Sequence, residues 1–487
     1  MTPTLVFSII AGYFALLIAI SYITGRNSNS ASFFTANKRS PWYLVAFGMI
    51  GASLSGVTFI SVPGEVGNSA FYYFQVVLGY LVGYFVIATV LLPLYYKMNL
   101  VSIYTYLEKR FGSRAYNTGS AFFLLSRVVG SSFRLFLVAG VLQIGFFDAF
   151  GIPFYITVPV TIALIWVYTY RAGIKTIVIT DTLQTLFMIT AVLVSIIIVG
   201  GELNLSPSEI AGRVSEHEYS KIFDWKWRSE TNFFKQFIAG AFIAIVMTGL
   251  DQDMMQKNLT CKTLKESQKN MFWFSLILVP VNLLFLSLGV MLYIYAEQTG
   301  ISLPQSTDEL YPLLALNNFS VFAGIMFLLG ITAAAFSSAD SALTSLTTVF
   351  SVDFLKLDIN DESQKLKRTK RYVHLGFSVL LFIVILLFDA LNNDSVINSV
   401  FKAASYTYGP LLGMFAFGLF TKYKVKDKAI PYVAVISPIL SYLLNLYSED
   451  LLFGYKFGFE LLIVNGLLTF IGMLIFSEGK SDQLYTK

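Results

Sequence analysis

One apolar run of the sequence carries an oxygen-rich face. In FLLGITAAAFSSADSALTSLTTVF (residues 327–350), Ser337, Ser338, Ser341 and Ser345 recur at i, i+1, i+4 and i+8. With Ala334 they share one side of a helix, and Asp340 flanks that side. Hydroxyl oxygens beside a carboxylate form a hard-oxygen donor set suited to a small cation. Hydroxyls bonding back to their own i−4 carbonyls would account for one or two of the serines, but not for a whole face with an acid in it.

Four further places put polar groups where hydrocarbon is expected. VAFGMIGASLSGVTFISVPGEVG (45–67) is interrupted by Gly48, Gly51 and Gly56 among Ser53, Ser55 and Thr58. Such a helix can unwind near 51–56 and free carbonyls for a cation and half-helix ends for a substrate; small residues for close helix packing are the alternative. FFKQFIAGAFIAIVMTGLDQDMMQK (233–257) is a second Gly-interrupted segment, ending in Asp251, Gln252 and Asp253. Asp253 is read as marking the inner interface. Asp181 lies six residues beyond Lys175, about 9 Å deep along a helix, either as an interfacial acid or as a second cation ligand. Arg127 and Arg134 are seven residues apart on one helical face. An intramembrane Arg calls for an anionic partner, which is a protein carboxylate, a substrate or a lipid headgroup. Lys402 poses the same question.

The elements that must position these groups follow from composition. Of 487 residues, 56% are hydrophobic and only 13% charged, with a mean hydropathy of +0.67. A soluble globule carries nearer a quarter charged residues, so the chain is expected to be an all-α integral membrane protein. One cysteine, Cys261, and two histidines, His217 and His374, leave no basis for a disulfide framework, a zinc site or a His-based catalyst. No nucleophile–base pair stands out, so no enzyme activity is expected. The net charge of +5 is scattered, with no nucleic-acid-binding stripe.

Spanning helices need about 20 apolar residues. Thirteen such stretches are expected, at about 5–24, 41–63, 71–96, 117–146, 153–170, 176–200, 234–256, 270–296, 320–349, 373–391, 398–420, 429–447 and 458–476. With the N-terminus outside, alternate loops place 25 of the 34 Lys and Arg residues inside, seven outside and two within a span. That is a strong positive-inside pattern with N-out and C-in topology. The first stretch has no basic leader and is read as a retained helix.

Three motifs in order resemble the sodium:solute symporter family: GIKTIVITDTLQ at 173–184, SSADSAL at 337–343 and YGPLLGMFAFGLFTK at 408–422. The resemblance covers essentially the whole chain. It implies a LeuT-like core of two five-helix inverted repeats, at 41–200 and 234–422. The rest would be an N-terminal accessory region 1–40, an outer loop 201–233 and two accessory helices in 423–487. It further implies Na+ held by Gly51, Leu54 and Ala334 through carbonyls and by Ser337 and Ser338 through hydroxyls. Asp181, Ser337, Asp340 and Ser341 match a second sodium site of some sialic-acid-transporting members, although Asp340 stands where those members carry Ser. SGVTFISVPGEVG (55–67) and LLPLYYKMNLVSIYTYLEKRF (91–111) are similar to the branch carrying monocarboxylates, iodide and vitamins. In sialic-acid members an Arg of the fourth span holds the substrate carboxylate, a position shared here between Arg127 and Arg134.

The expectation is a sodium-coupled symporter, monomeric in function, in a bacterial inner (plasma) membrane, importing a small carboxylate-bearing solute by alternating access. The substrate set expected is Ser53, Ser55, Thr58, Phe71, Gln75, Arg134, Asp251, Gln252 and Lys402. A sugar, polyol or proline-like substrate, coupling to protons, and a transporter-like sensor are the alternatives.

Overall fold

The computed structural model describes residues 2–25, 36–169, 174–357, 363–391 and 395–480. They are almost wholly helical, which is what a low-dielectric surround demands, because only a helix satisfies its backbone within one segment. Two short strands, Tyr423–Val425 and Ser477–Lys480, pair antiparallel.

Each expected apolar stretch falls on helix. By length and composition alone, eight helices among the described residues could cross a membrane, or nine if Phe233–Gly249 and Gln252–Asn258, bent by 70°, are one span. The expected stretches 41–63 and 71–96 lie in one apolar run, Trp42–Lys97. A tight turn at Ala70–Tyr72 breaks that run. The stretches 153–170 and 458–476 fall on shorter helices, Phe154–Thr169 and Leu461–Ile475. The stretch 398–420 is split at Tyr408 into Val396–Thr407 and Gly409–Phe420. The expected loop 201–233 contains a helix, Pro207–Glu216, closed by a capping box between Ser206 and Glu209.

The centre is built from the broken Trp42–Ser69 helix, which packs against Ile174–Glu202, Leu264–Thr299 and Val321–Val349. Its break is at Ser55, with φ 38° and ψ 174° inside otherwise helical backbone. A serine, not a glycine, takes the strained geometry. Gly48 and Gly51 serve contact instead: a Cβ on either would press on the Asp181–Thr185 turn of the neighbouring helix. Both readings of the segment therefore hold, at different residues.

A second close approach joins Tyr73–Val86 to Phe233–Ala244. A Cβ at Gly79 would collide with the Phe237 carbonyl, and one at Gly240 with the Val76 backbone. This is a small-residue seam of the kind that lets helices associate in lipid. Gly79→Leu is expected to destabilise the fold by about 2 kcal/mol or more, since backbone cannot yield as a side chain does. The check is a fall in the thermal unfolding midpoint of the detergent-solubilised protein, with Gly130→Leu, where a Cβ meets open space, as the unaffected control.

Candidate functional site

The Ser55 break opens onto a small cavity. Ala52–Ser55 and Thr58 form one wall, Tyr80 and Tyr84 another, and Arg134, Thr248 and Asn282 supply further polar groups. Where a helix breaks, the carbonyls just before the break lose their i+4 amide partners. At Ser55 the turn just before the break is 51–54. Facing it across the packed interface is the Val321–Val349 helix, with Ser337, Ser338 and Ser341 all buried. Ser337 Oγ donates to Asp181 Oδ1 at 2.7 Å, and Ser338 Oγ donates to the Ala334 carbonyl at 3.3 Å. Asp340 lies within this helix, but its side chain is outside the described residues.

The two arginines part company. Arg127 is buried, its Nη2 bonded to Asp253 and its Nη1 3.8 Å from Asp251 Oδ2. The same Asp251 oxygen accepts the Tyr408 hydroxyl at 2.6 Å, and Oδ1 caps the Gln252–Asn258 helix through the Asp253 and Met254 amides. The Arg127 charge is thus spent within the protein. Arg134, one face-repeat further along, lines the cavity as Arg127 does and like it keeps a buried Nε without a hydrogen-bond partner, but it forms no ion pair among the described residues. A buried guanidinium edge without an acceptor is costly unless something brings one.

Several expected contacts lie elsewhere. Gln75 is bonded to the carbonyls of Tyr72 and Thr231 and accepts from the Asp224 amide, so it anchors the 203–232 segment. Gln252 bonds Ile103 N at 2.9 Å and the Val101 carbonyl at 2.8 Å, closing off the 99–105 segment. Phe71 is packed in the apolar core. Asp251 is held by Arg127 and Tyr408. Lys402 lies in a separate compartment with Glu65, Glu230 and Phe459. The two compartments share Tyr73, Ile397 and Phe401, and the Tyr73 and Phe401 rings stack at 6.2 Å between them. Ser53, Ser55, Thr58 and Arg134 are brought together on the inner cavity.

Two residues read as lying towards a loop are buried. Asp253, expected to mark the inner interface, is 2% exposed and paired with Arg127. Lys257, counted among loop cations, is 1% exposed with Nζ 2.7 Å from Asp181 Oδ2. The cause is the 70° bend before Gln252, which carries this segment back into the protein where a straight helix would have left it. Asp353 also escaped notice. Its carboxylate accepts from Ser102, Tyr116 and Ser120, a convergence of segments too distant in sequence to pair by spacing.

Below the cavity the protein is closed by hydroxyl bonds to the second break. Tyr95 donates to the Gly249 carbonyl at 2.8 Å and Tyr104 to that of Leu250 at 2.9 Å.

Paired broken helices around a small central chamber, within a bundle of apolar helices, define a membrane carrier. A model of the sodium:solute symporter family matches residues 33–430. The sodium/sialic acid symporter SiaT of Proteus mirabilis is 24% identical over 480 residues, 95% of this chain and 94% of that protein. The sodium/sialic acid symporter NanT of Aliivibrio fischeri is 25% identical, covering 96% and 93%. A solved structure of a substrate-bound, outward-open Na+-coupled sialic acid symporter superposes with a TM-score of 0.80 at 20% identity, over 96% of this chain and 97% of that one. Mhp1, of the nucleobase-cation-symport-1 family, shares the fold at a TM-score of 0.57. The chain belongs to the sodium:solute symporter family, and its activity is sodium-coupled movement of a solute across a membrane.

Removing one member of the buried cluster should expose its cost. Asp253→Ala leaves Arg127 without its closest acid and is expected to cost about 3–5 kcal/mol. Replacing the pair together, as Arg127→Met with Asp253→Leu, should cost clearly less. Thermal unfolding of both variants in detergent gives the comparison.

Proposed function

We propose that this symporter imports a small hydroxylated or short-chain solute bearing a carboxylate, with Arg134 as the group that binds it. The observation that carries this reading is the contrast between the two arginines that border the cavity: Arg127 is paired with Asp251 and Asp253, whereas Arg134 has no ion-pair partner among the described residues. Arg holds a carboxylate through two parallel hydrogen bonds. Ser53, Thr58, Tyr84, Thr248 and Asn282 are placed to bond the neutral body of such a solute. The sialic acid symporters among the relatives carry a substrate of this kind.

Sodium in this proposal sits between the 51–54 carbonyls and the Ala334–Ser338 turn, bound by Gly51, Leu54, Ala334, Ser337 and Ser338. Its binding would tie the broken helix to Val321–Val349, completing the substrate chamber on the side open to sodium. The architecture proposed has thirteen passes with N-out, C-in orientation. Two five-helix inverted repeats at 41–200 and 234–422 are flanked by accessory segments at 1–40 and 423–487 and joined by the loop 201–233. The protein would act as a monomer in a bacterial inner membrane. The bent pair, the Ala70–Tyr72 turn and the shorter apolar helices support the count, and the distribution of Lys and Arg supports the orientation.

Uptake into proteoliposomes tests both parts. Arg134→Lys keeps charge but loses the fork, and is expected to raise the KM for a carboxylate solute by roughly tenfold or more while the sodium requirement stays nearly constant. Saturable sodium-driven uptake of an uncharged sugar, unaffected by Arg134→Lys, would overturn the substrate assignment. Ser338→Ala is expected to raise the sodium concentration for half-maximal uptake severalfold; an unchanged sodium dependence would remove Ser338 from the ion site.

A further inference from the structure

Asp181 sits at the junction of three elements. It projects from the Ile174–Glu202 helix, is fully buried, and has both carboxylate oxygens engaged. Oδ1 accepts the Ser337 hydroxyl from Val321–Val349 at 2.7 Å, and Oδ2 meets the Lys257 ammonium from Gln252–Asn258 at 2.7 Å. The fourth wall is the Trp42–Ser69 helix, approaching so closely at Gly48 that an added Cβ would stand 3.1 Å from that of Asp181. The charged groups nearest this junction in sequence are Asp253, which is committed to Arg127, and Asp340, whose side chain lies outside the described residues.

A carboxylate with a hydroxyl beside it, buried and walled in, is a cation site by its chemistry. Here a cation already occupies it, and that cation is covalently part of the protein. An ammonium and a sodium ion make similar demands: each takes oxygen ligands at short range and carries one positive charge. They differ in that Lys257 cannot leave with the substrate. A sodium ion added on Asp181 would share one carboxylate with the Lys257 ammonium, and like charges at one acid repel strongly where water is excluded.

We propose that the Lys257 ammonium is the resident occupant of the Asp181 cation site, displacing a second sodium, so that this transporter binds and moves one sodium per solute. The inference rests on the reading above in which the first sodium lies between the 51–54 carbonyls and the Ala334–Ser338 turn, and it adds the stoichiometry. It also gives Lys257 a positioning role. By tying the bent Gln252–Asn258 helix to Ile174–Glu202, the ammonium supplies the cross-link that a mobile ion would otherwise make.

The test is equilibrium binding of radioactive sodium to the purified full-length protein, paired with the sodium Hill coefficient of uptake in proteoliposomes. Wild type is expected to bind about one sodium per chain, with a Hill coefficient of about one. Lys257→Gln removes the charge at similar length and is expected to raise both to about two. Lys257→Arg keeps the tethered cation and should restore the wild-type values. Lys257→Gln combined with Asp181→Asn removes the acid as well and should return binding to one. Wild type binding two sodium ions, or a monodisperse Lys257→Gln that retains solute binding yet binds one, would overturn this inference while leaving sodium symport intact. No sodium binding by wild type would defeat both. If Lys257→Gln fails to fold, the wild-type stoichiometry decides alone.

Discussion

A helix broken inside a bilayer leaves amides and carbonyls that lipid cannot satisfy, and the rest of this structure is organised around doing so twice. At Ser55 the break borders a chamber lined by Ala52–Ser55 and Thr58. At Leu250–Asp251 the break is sealed: tyrosine hydroxyls take the Gly249 and Leu250 carbonyls, and the Asp251 side chain caps the amides that follow. The second break is completed by the protein's own side chains; the first is the one at which sodium is proposed to sit.

Charge follows the same division. Arg127 with Asp251 and Asp253, and Lys257 with Asp181, are buried groups that neutralise one another. Such pairs contribute little net stability, because desolvation offsets much of their attraction, but losing one partner is costly. They therefore fix which helices meet which, and in what register. Arg134 stands apart from this scheme in one respect: both arginines border the cavity and each keeps an unpartnered Nε, but only Arg127 is ion-paired among the described residues.

The helical frame was legible in the sequence because hydrocarbon imposes a length and a composition that can be counted. The oxygen-rich face at 334–345 was legible because a helix has a fixed period. The segment 249–258 was not: a 70° bend precedes Gln252–Asn258 and every residue of that helix is buried, which spacing along a straight helix does not reveal. Gln75 and Gln252 looked like substrate groups by polarity, but backbone amides and carbonyls from segments about 150 residues away claim them. Choosing between Arg127 and Arg134 likewise needed the partners, not the spacing. The glycines of 48–56 misled in a milder way, since the kink falls on Ser55 while Gly48 and Gly51 admit a neighbouring helix.

The Tyr73–Phe401 stack, with Ile397, lies between the chamber and the Lys402 compartment. On the other side lie the Gln252, Tyr95, Tyr104 and Asp353 bonds, spread over several segments. Parting the first contact would mean moving two rings past one another; parting the second would mean breaking bonds held by several separate segments together. The two boundaries of the chamber are therefore built to unequal depth, one a single contact and the other a network.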